Sequence, residues 1–227
     1  MQVIGIDCHI GSQLTELSPF LDALDPVLAL ADQLETMGIH IQHLDLGGGL
    51  GVTYGEETPP SPADLCTAIK ERMGNRSQKL IFEPGRSISA NAGLLITQVQ
   101  FLKPSEAKNF AIVDAAMNDL IRPALYGSWM RISEVDQNLS REETTWDIVG
   151  SVCESADFLG KDRNLGIASG DLLAVHSAGA YCQVMASNYN TRGRAAEVLV
   201  HGDQSQLVRE RESFADMIRG EHLVKDD

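Results

Sequence analysis

Apolar residues over the first ninety positions follow two alternating rhythms. Short β-branched and aliphatic runs at residues 3–9, 39–46 and 79–82 predict buried strands. Leu21, Leu24, Leu28, Ala31 and Leu34, at three- and four-residue steps, predict a helix over residues 18–37 that Gly38 closes, and a second helix is expected over residues 63–73, after Thr58-Pro59-Pro60-Ser61-Pro62. Strands alternating with helices at this spacing imply parallel β/α architecture. Each strand runs into a polar or glycine-rich turn: Ile10-Gly11-Ser12-Gln13, Gly47-Gly48-Gly49 and Glu83-Pro84-Gly85-Arg86. In a (β/α)8 barrel that C-terminal face carries the active site.

Beyond residue 92 the pattern changes. Residues 94–102, 110–114, 146–152, 171–177 and 195–200 read as strands joined by polar segments without long helices, as in an antiparallel β domain, and the charged residues 206–217 read as helix. The expected organisation is a partial barrel over residues 1–91 and an all-β domain over residues 92–227. Three strand-helix units cannot close a barrel. With a strand pattern almost at Met1, the sequence reads as a chain begun in mid-domain, its other units expected upstream or from another chain.

Composition then removes several classes of partner. Among 227 residues, 32 acidic against 18 basic side chains give a net charge of -14, which argues against a nucleic-acid surface and favours a small molecule held by a few placed cations. No apolar run approaches the roughly 18 residues of a membrane span. Cys8, Cys66, Cys153 and Cys182 are far apart and form no CxxC pair, as expected of reduced thiols in a cytoplasmic protein. No metal-ligating pattern stands out.

The turns carry the candidate chemistry. Three successive glycines suit a place where bare backbone must approach an anion, phosphate being the commonest, although a flexible connector would use them equally. Glu83-Pro84-Gly85-Arg86 is more specific. A proline-fixed, glycine-released turn can offer Arg86 to an anion and Glu83 to a cationic ring nitrogen; the alternative is a surface ion pair.

Six motifs in order resemble one family: His9-Ile10-Gly11-Ser12-Gln13, Leu46-Gly47-Gly48-Gly49-Leu50-Gly51, Glu83-Pro84-Gly85-Arg86, the stretch from Asp114 through Arg122-Pro123-Ala124-Leu125-Tyr126, Cys153-Glu154-Ser155-Ala156-Asp157, and Ala178-Gly179-Ala180-Tyr181. The sequence is similar to the ornithine/diaminopimelate/arginine decarboxylases, and within them to diaminopimelate decarboxylases, pyridoxal-phosphate enzymes that share a fold with alanine racemase. The resemblance implies the last three units of an alanine-racemase-like (β/α)8 barrel followed by a C-terminal antiparallel β domain. It implies pyridoxal 5'-phosphate as cofactor, with His9 a catalytic residue against the ring, Ser12, Gly47, Gly48, Gly49 and Arg86 around the phosphate, Gly85 among the cofactor-binding residues, Glu83 on the pyridine nitrogen, and Tyr181 contacting phosphate and substrate.

The same resemblance assigns an amino-acid substrate to Arg86, Arg122, Tyr126, Glu154 and Tyr181. Arg122 with Tyr126 suits a far carboxylate and Glu154 a far ammonium, as in meso-diaminopimelate, which would lose carbon dioxide to give L-lysine. Cys153 would be the proton donor. Cys153 and Glu154 would complete the opposite subunit's site in a homodimer. The family's Schiff-base lysine lies on an early barrel strand, and none of Lys70, Lys79, Lys103, Lys108, Lys161 and Lys225 has a matching context, so this polypeptide alone is expected not to turn over substrate. Two other readings remain open: a decarboxylase of ornithine, arginine or a carboxylated polyamine, and a non-catalytic dimerisation or binding module.

Overall fold

In the computed structural model, which describes residues 2–224, three short strands form a parallel sheet in the order β1 (Gly5–Asp7), β2 (His43–Asp45), β3 (Lys79–Ile81). Gly5 lies opposite His43, and His43 opposite Lys79, so the three strands end level. The helices α1 (Ser18–Thr36) and α2 (Pro62–Met73) connect them. Leu24 of α1, Leu44 of β2 and Ile69 of α2 are completely buried in one apolar cluster that fixes the helices against the strands. Pro62 starts α2 one residue earlier than the apolar pattern implied. Its fixed φ suits the first helical turn, and a reciprocal Ser61/Asp64 capping box satisfies the turn's N–H groups. Arg72 and Arg76 tie α2 and the following turn to α1, through Asp25 and Asp32 respectively, at 2.5 Å each. A one-turn helix, α3 (Arg86–Ser89), follows β3.

The chain divides into two compact units between Ala92 and Gly93. In the second, β4 (Leu95–Lys103), β5 (Phe110–Val113), β6 (Ile132–Glu134), β7 (Thr144–Val149), β8 (Phe158–Leu165) and β9 (Leu172–Val175) form a sheet in the order β6-β9-β4-β5-β7-β8, with the short helix α4 (Arg122–Tyr126) between β5 and β6. The sheet nearly closes on itself. A Cβ added to Gly160 of β8 would lie 2.8 Å from Ile132 Cδ1 of β6, and Arg163 of β8 donates to the Met130 carbonyl beside β6. A separate hairpin, β10 (Glu197–His201) and β11 (Gln204–Arg209), and a one-turn helix, α5 (Phe214–Met217), follow.

Three features depart from the sequence reading. The sheet is not wholly antiparallel, because β5 pairs in parallel with β7 after a long excursion through α4 and β6. The helix expected over residues 206–217 is β11 followed by α5: the two-residue turn Gly202-Asp203, with Gly202 at φ +62°, folds the chain back as a hairpin, and a Ser213/Asp216 capping box delays helix until Phe214. β8 was not foreseen because its centre, Gly160-Lys161-Asp162-Arg163-Asn164, is polar and bulged, with Asp162 at φ +55°. Among the described residues no helix is long and apolar enough to cross a membrane.

Two consequences are measurable. Leu44→Ala should cost about 2–5 kcal/mol of stability in urea unfolding, since it opens a cavity at a fully buried position; a loss below about 1 kcal/mol would contradict this packing. All four cysteines are free thiols. Burial, reinforced by the charges of Asp119 and Glu197, pushes Cys182 up to about 12. An aromatic disulfide reagent at pH 8 should therefore label exposed Cys66 and Cys153 in the native protein and leave Cys182 unlabelled until denaturant is added; mass mapping that found Cys182 modified first would overturn this.

Candidate active site

The level ends of β1, β2 and β3 bring three loops into backbone-to-backbone contact. Leu46 N–H donates to Ile81 O at 3.1 Å, Glu83 N–H to Gly47 O at 2.8 Å, and Leu14 N–H to Gly49 O at 2.9 Å. Gly48 leaves no room for a side chain, because its Cβ would overlap the Glu83 carbonyl oxygen. Gly49 adopts φ +111°, and a Cβ there would sit 2.5 Å from the Gly11 carbonyl oxygen. Asp45 accepts the Gly47 N–H at 2.9 Å and pins the start of the turn. These glycines are therefore parts of a tight junction, which removes the flexible-connector alternative.

Arg86 anchors the polar face of this junction. Arg86 is only 9% exposed as a residue; its guanidinium donates through Nε and Nη2 to the Ser12 hydroxyl at 3.2 and 3.1 Å, and bonds the Tyr54 hydroxyl through Nη1. Gln13 clasps Val52 in both directions, donating to its carbonyl at 2.6 Å and accepting its N–H at 3.1 Å. Thus a buried cation points at an exposed hydroxyl beside a turn free of side chains. His9 is exposed and its Nδ1 accepts the Gly48 N–H at 3.3 Å. Glu83 is exposed, and one oxygen of its carboxylate lies within 4.8 Å of one oxygen from each of Asp7 and Asp45, which are within the same distance of each other. Gly85 is the residue immediately before α3.

In the second unit Arg122 is buried at the start of α4, donates to the Ser128 hydroxyl at 3.3 Å and has its guanidinium 5.9 Å from the centre of the Tyr181 ring. Tyr181 holds φ +59°, a costly backbone for an aromatic residue that fixes where its ring goes. Tyr126, at the other end of α4, is 63% exposed. Cys153 and Glu154 are exposed on the loop between β7 and β8. Asp157 braces that loop, accepting Val152 N–H and, from the segment after β5, Met117 N–H, both at 2.7 Å. Burial pushes its carboxyl above the ordinary value, as it does for Asp119. Arg192 donates to Asn118 Oδ1 at 2.9 Å, Ser151 Oγ at 2.8 Å and the Asp114 carbonyl at 2.5 Å, so one guanidinium joins three loops.

The structure thus groups His9, Ser12, Gly47, Gly48, Gly49, Glu83, Gly85 and Arg86 in one unit, and sets Arg122 beside Tyr181 in the other. The sequence reading passed over Asp7, Asp45, Tyr54, Asp157, Tyr189 and Arg192. Strand-end alternation could have flagged the first two; the others gain their partners only through long-range folding. Lys79 opens β3, at the end opposite the glycine turn. Lys108 pairs with buried Asp147 at 2.9 Å, and Lys161 covers the Phe158 ring at 3.9 Å. Lys225 lies outside the described residues.

The family described as pyridoxal-dependent decarboxylase, C-terminal sheet domain, matches residues 8–179. The diaminopimelate decarboxylase of Pseudomonas aeruginosa is 60% identical over 224 residues, covering 99% of this chain and 54% of that protein. Crystal structures of diaminopimelate decarboxylases complexed with L-lysine superpose with TM-scores of 0.93 (M. jannaschii, 39% identity, 97% of this chain and 52% of that one) and 0.90 (Helicobacter pylori, 38% identity, 96% and 54%). The chain spans about half the length of the curated relatives it matches. With the family model matching 172 of its 227 residues (8 through 179), the chain belongs to the pyridoxal-dependent decarboxylases.

Proposed function

We propose that this chain supplies the phosphate-binding face and the substrate-recognising groups of a diaminopimelate decarboxylase, which converts meso-2,6-diaminopimelate to L-lysine and carbon dioxide. The observation that carries the reading is buried Arg86 aimed at the Ser12 hydroxyl beside the glycine turn. These residues fit pyridoxal phosphate. Arg86, Ser12 and the backbone of Gly47, Gly48 and Gly49, with Gly85 at the edge, would hold the phosphate; Glu83, with Asp7 and Asp45 beside it, would favour a protonated pyridine nitrogen; His9 would lie against the ring. When bound, that group supplies an electron sink for loss of the carboxylate. The barrel reading follows from the same strands: β1 to β3 with α1 and α2 are consecutive units of an alanine-racemase-like (β/α)8 barrel.

Substrate recognition falls to the second unit. Arg122, held by Ser128 and Tyr181, grips the far carboxylate with help from Tyr126 and Arg86. Glu154 accepts the far ammonium, and the exposed Cys153 Sγ delivers a proton to the carbon that has lost carbon dioxide. Buried Arg122 offers a far carboxylate a charge-assisted, bidentate partner that a substrate without one, such as ornithine, cannot use, which favours diaminopimelate over the other amino acids. Exposure of Cys153 and Glu154 suits their completing a site in a second copy, hence a homodimer, and four free thiols suit the cytoplasm.

In the pyridoxal-phosphate-loaded enzyme carrying this sequence, Arg122→Ala should raise KM for diaminopimelate about 100-fold while leaving cofactor affinity unchanged. Steady-state kinetics beside a cofactor titration checks this. Equal loss of both would remove Arg122 from substrate recognition.

A further inference from the structure

We propose that Tyr189, a residue to which the reading above gives no task, is a positioning residue for Glu154 and thereby sets affinity for the far ammonium of the substrate. The inference rests on the ammonium-binding role assigned to Glu154. Its carboxylate is approached from two directions: Ala156 N–H donates to Oε1 at 3.3 Å, and the Tyr189 hydroxyl to Oε2 at 3.4 Å. The two residues share a cavity of about 360 Å³ with Met117, Asn118, Ile121 and Ser187. An exposed glutamate has several rotors, and ordering them is costly when a ligand must do it. A tyrosine has only two side-chain torsions, so it can orient a partner with little entropy loss of its own.

The loop that carries Tyr189 is held far more firmly than an exposed connector needs. Asn190 and Thr191 both adopt φ +57°, costly for a β-branched threonine. That conformation is maintained on both flanks. Ser187 N–H donates to Asn118 O at 2.9 Å, Asn188 Nδ2 to Arg192 O at 3.0 Å and to Glu212 Oε2 at 2.5 Å, and Arg192 grips Asn118, Ser151 and Asp114. Because Ser151 and Asp157 belong to the loop that presents Glu154, the same polar network fixes the tyrosine and the acid in one frame. At 3.4 Å the hydroxyl contact is longer than the roughly 2.5–3.0 Å usual for O–H···O, so it is a weak one. Its effect is therefore a modest bias in the carboxylate's orientation, smaller than the loss of the acid itself.

The test uses the holoenzyme and L-lysine, which keeps the far ammonium and carboxylate of diaminopimelate. Calorimetry should show Tyr189→Phe weakening L-lysine about three- to tenfold, with KM for diaminopimelate rising by the same factor, kcat unchanged and Tm preserved. Glu154→Gln should weaken it more, and the double variant should be no weaker than Glu154→Gln alone, since the hydroxyl acts through that carboxylate. A full Tyr189→Phe effect on the Glu154→Gln background, or none where Glu154→Gln is weakened, would overturn this inference and leave the role of Glu154 standing. Unchanged binding in Glu154→Gln would overturn both. Should Tyr189→Phe not fold, Glu154→Asp, which draws the carboxylate away from the hydroxyl, should reproduce the weakening, and undiminished affinity there would refute it.

Discussion

The first unit depends on a steric constraint at one point: the loops after three neighbouring strands touch through their main chains, where no Cβ fits. Gly48 lies against the Glu83 carbonyl and Gly49 against that of Gly11. The strands' level register makes this contact possible, and the hydrogen bonds from Leu14 to Gly49 and from Glu83 to Gly47 hold it. Ser12 and Arg86 come from loops 74 positions apart, yet the junction sets them within hydrogen-bond distance. The arginine can be buried because Ser12 and Tyr54 occupy its donors, and an anion seated there would meet a preoriented cation rather than one that must first be ordered.

The second unit solves a similar problem with charges instead of glycines. Its loops carry exposed groups, Cys153 and Glu154 among them, and their backbones are braced from beneath. Asp157 takes one N–H from each of two loops, and Arg192 ties three. Burial raises the Asp157 and Asp119 carboxyls against the stabilising N–H groups and the Arg192 charge, so this network holds geometry at some electrostatic cost.

Much of this was legible in order along the chain. The apolar steps of α1 and the strand-turn pattern gave the first unit's elements, because local periodicity and burial coincide there: Leu24 and Leu28 face inward as their spacing requires. The motifs ending β1, β2 and β3 identified the polar residues that the junction assembles. Two kinds of feature were hidden. β8 and the parallel β5/β7 pair depend on bulges and partner choice, which a polar segment such as residues 160–164 does not announce. Tyr54, Asp157 and Arg192 look like ordinary loop residues until distant segments meet them. The charged stretch after residue 206 misled for the opposite reason: its composition suits a helix, but a two-residue turn had already committed it to a hairpin.

The central claim is that backbone closeness at Gly48 creates the phosphate seat. It is tested most directly by comparing the dissociation constants of pyridoxal phosphate and unphosphorylated pyridoxal in the wild-type enzyme and in Gly48→Ala. If the junction forms that seat, the phosphate should be worth about 100-fold in the wild type and most of that advantage should vanish in Gly48→Ala, where the added methyl displaces the Glu83 carbonyl. Equal affinities for the two compounds in the wild type, or an undiminished ratio in Gly48→Ala, would contradict it.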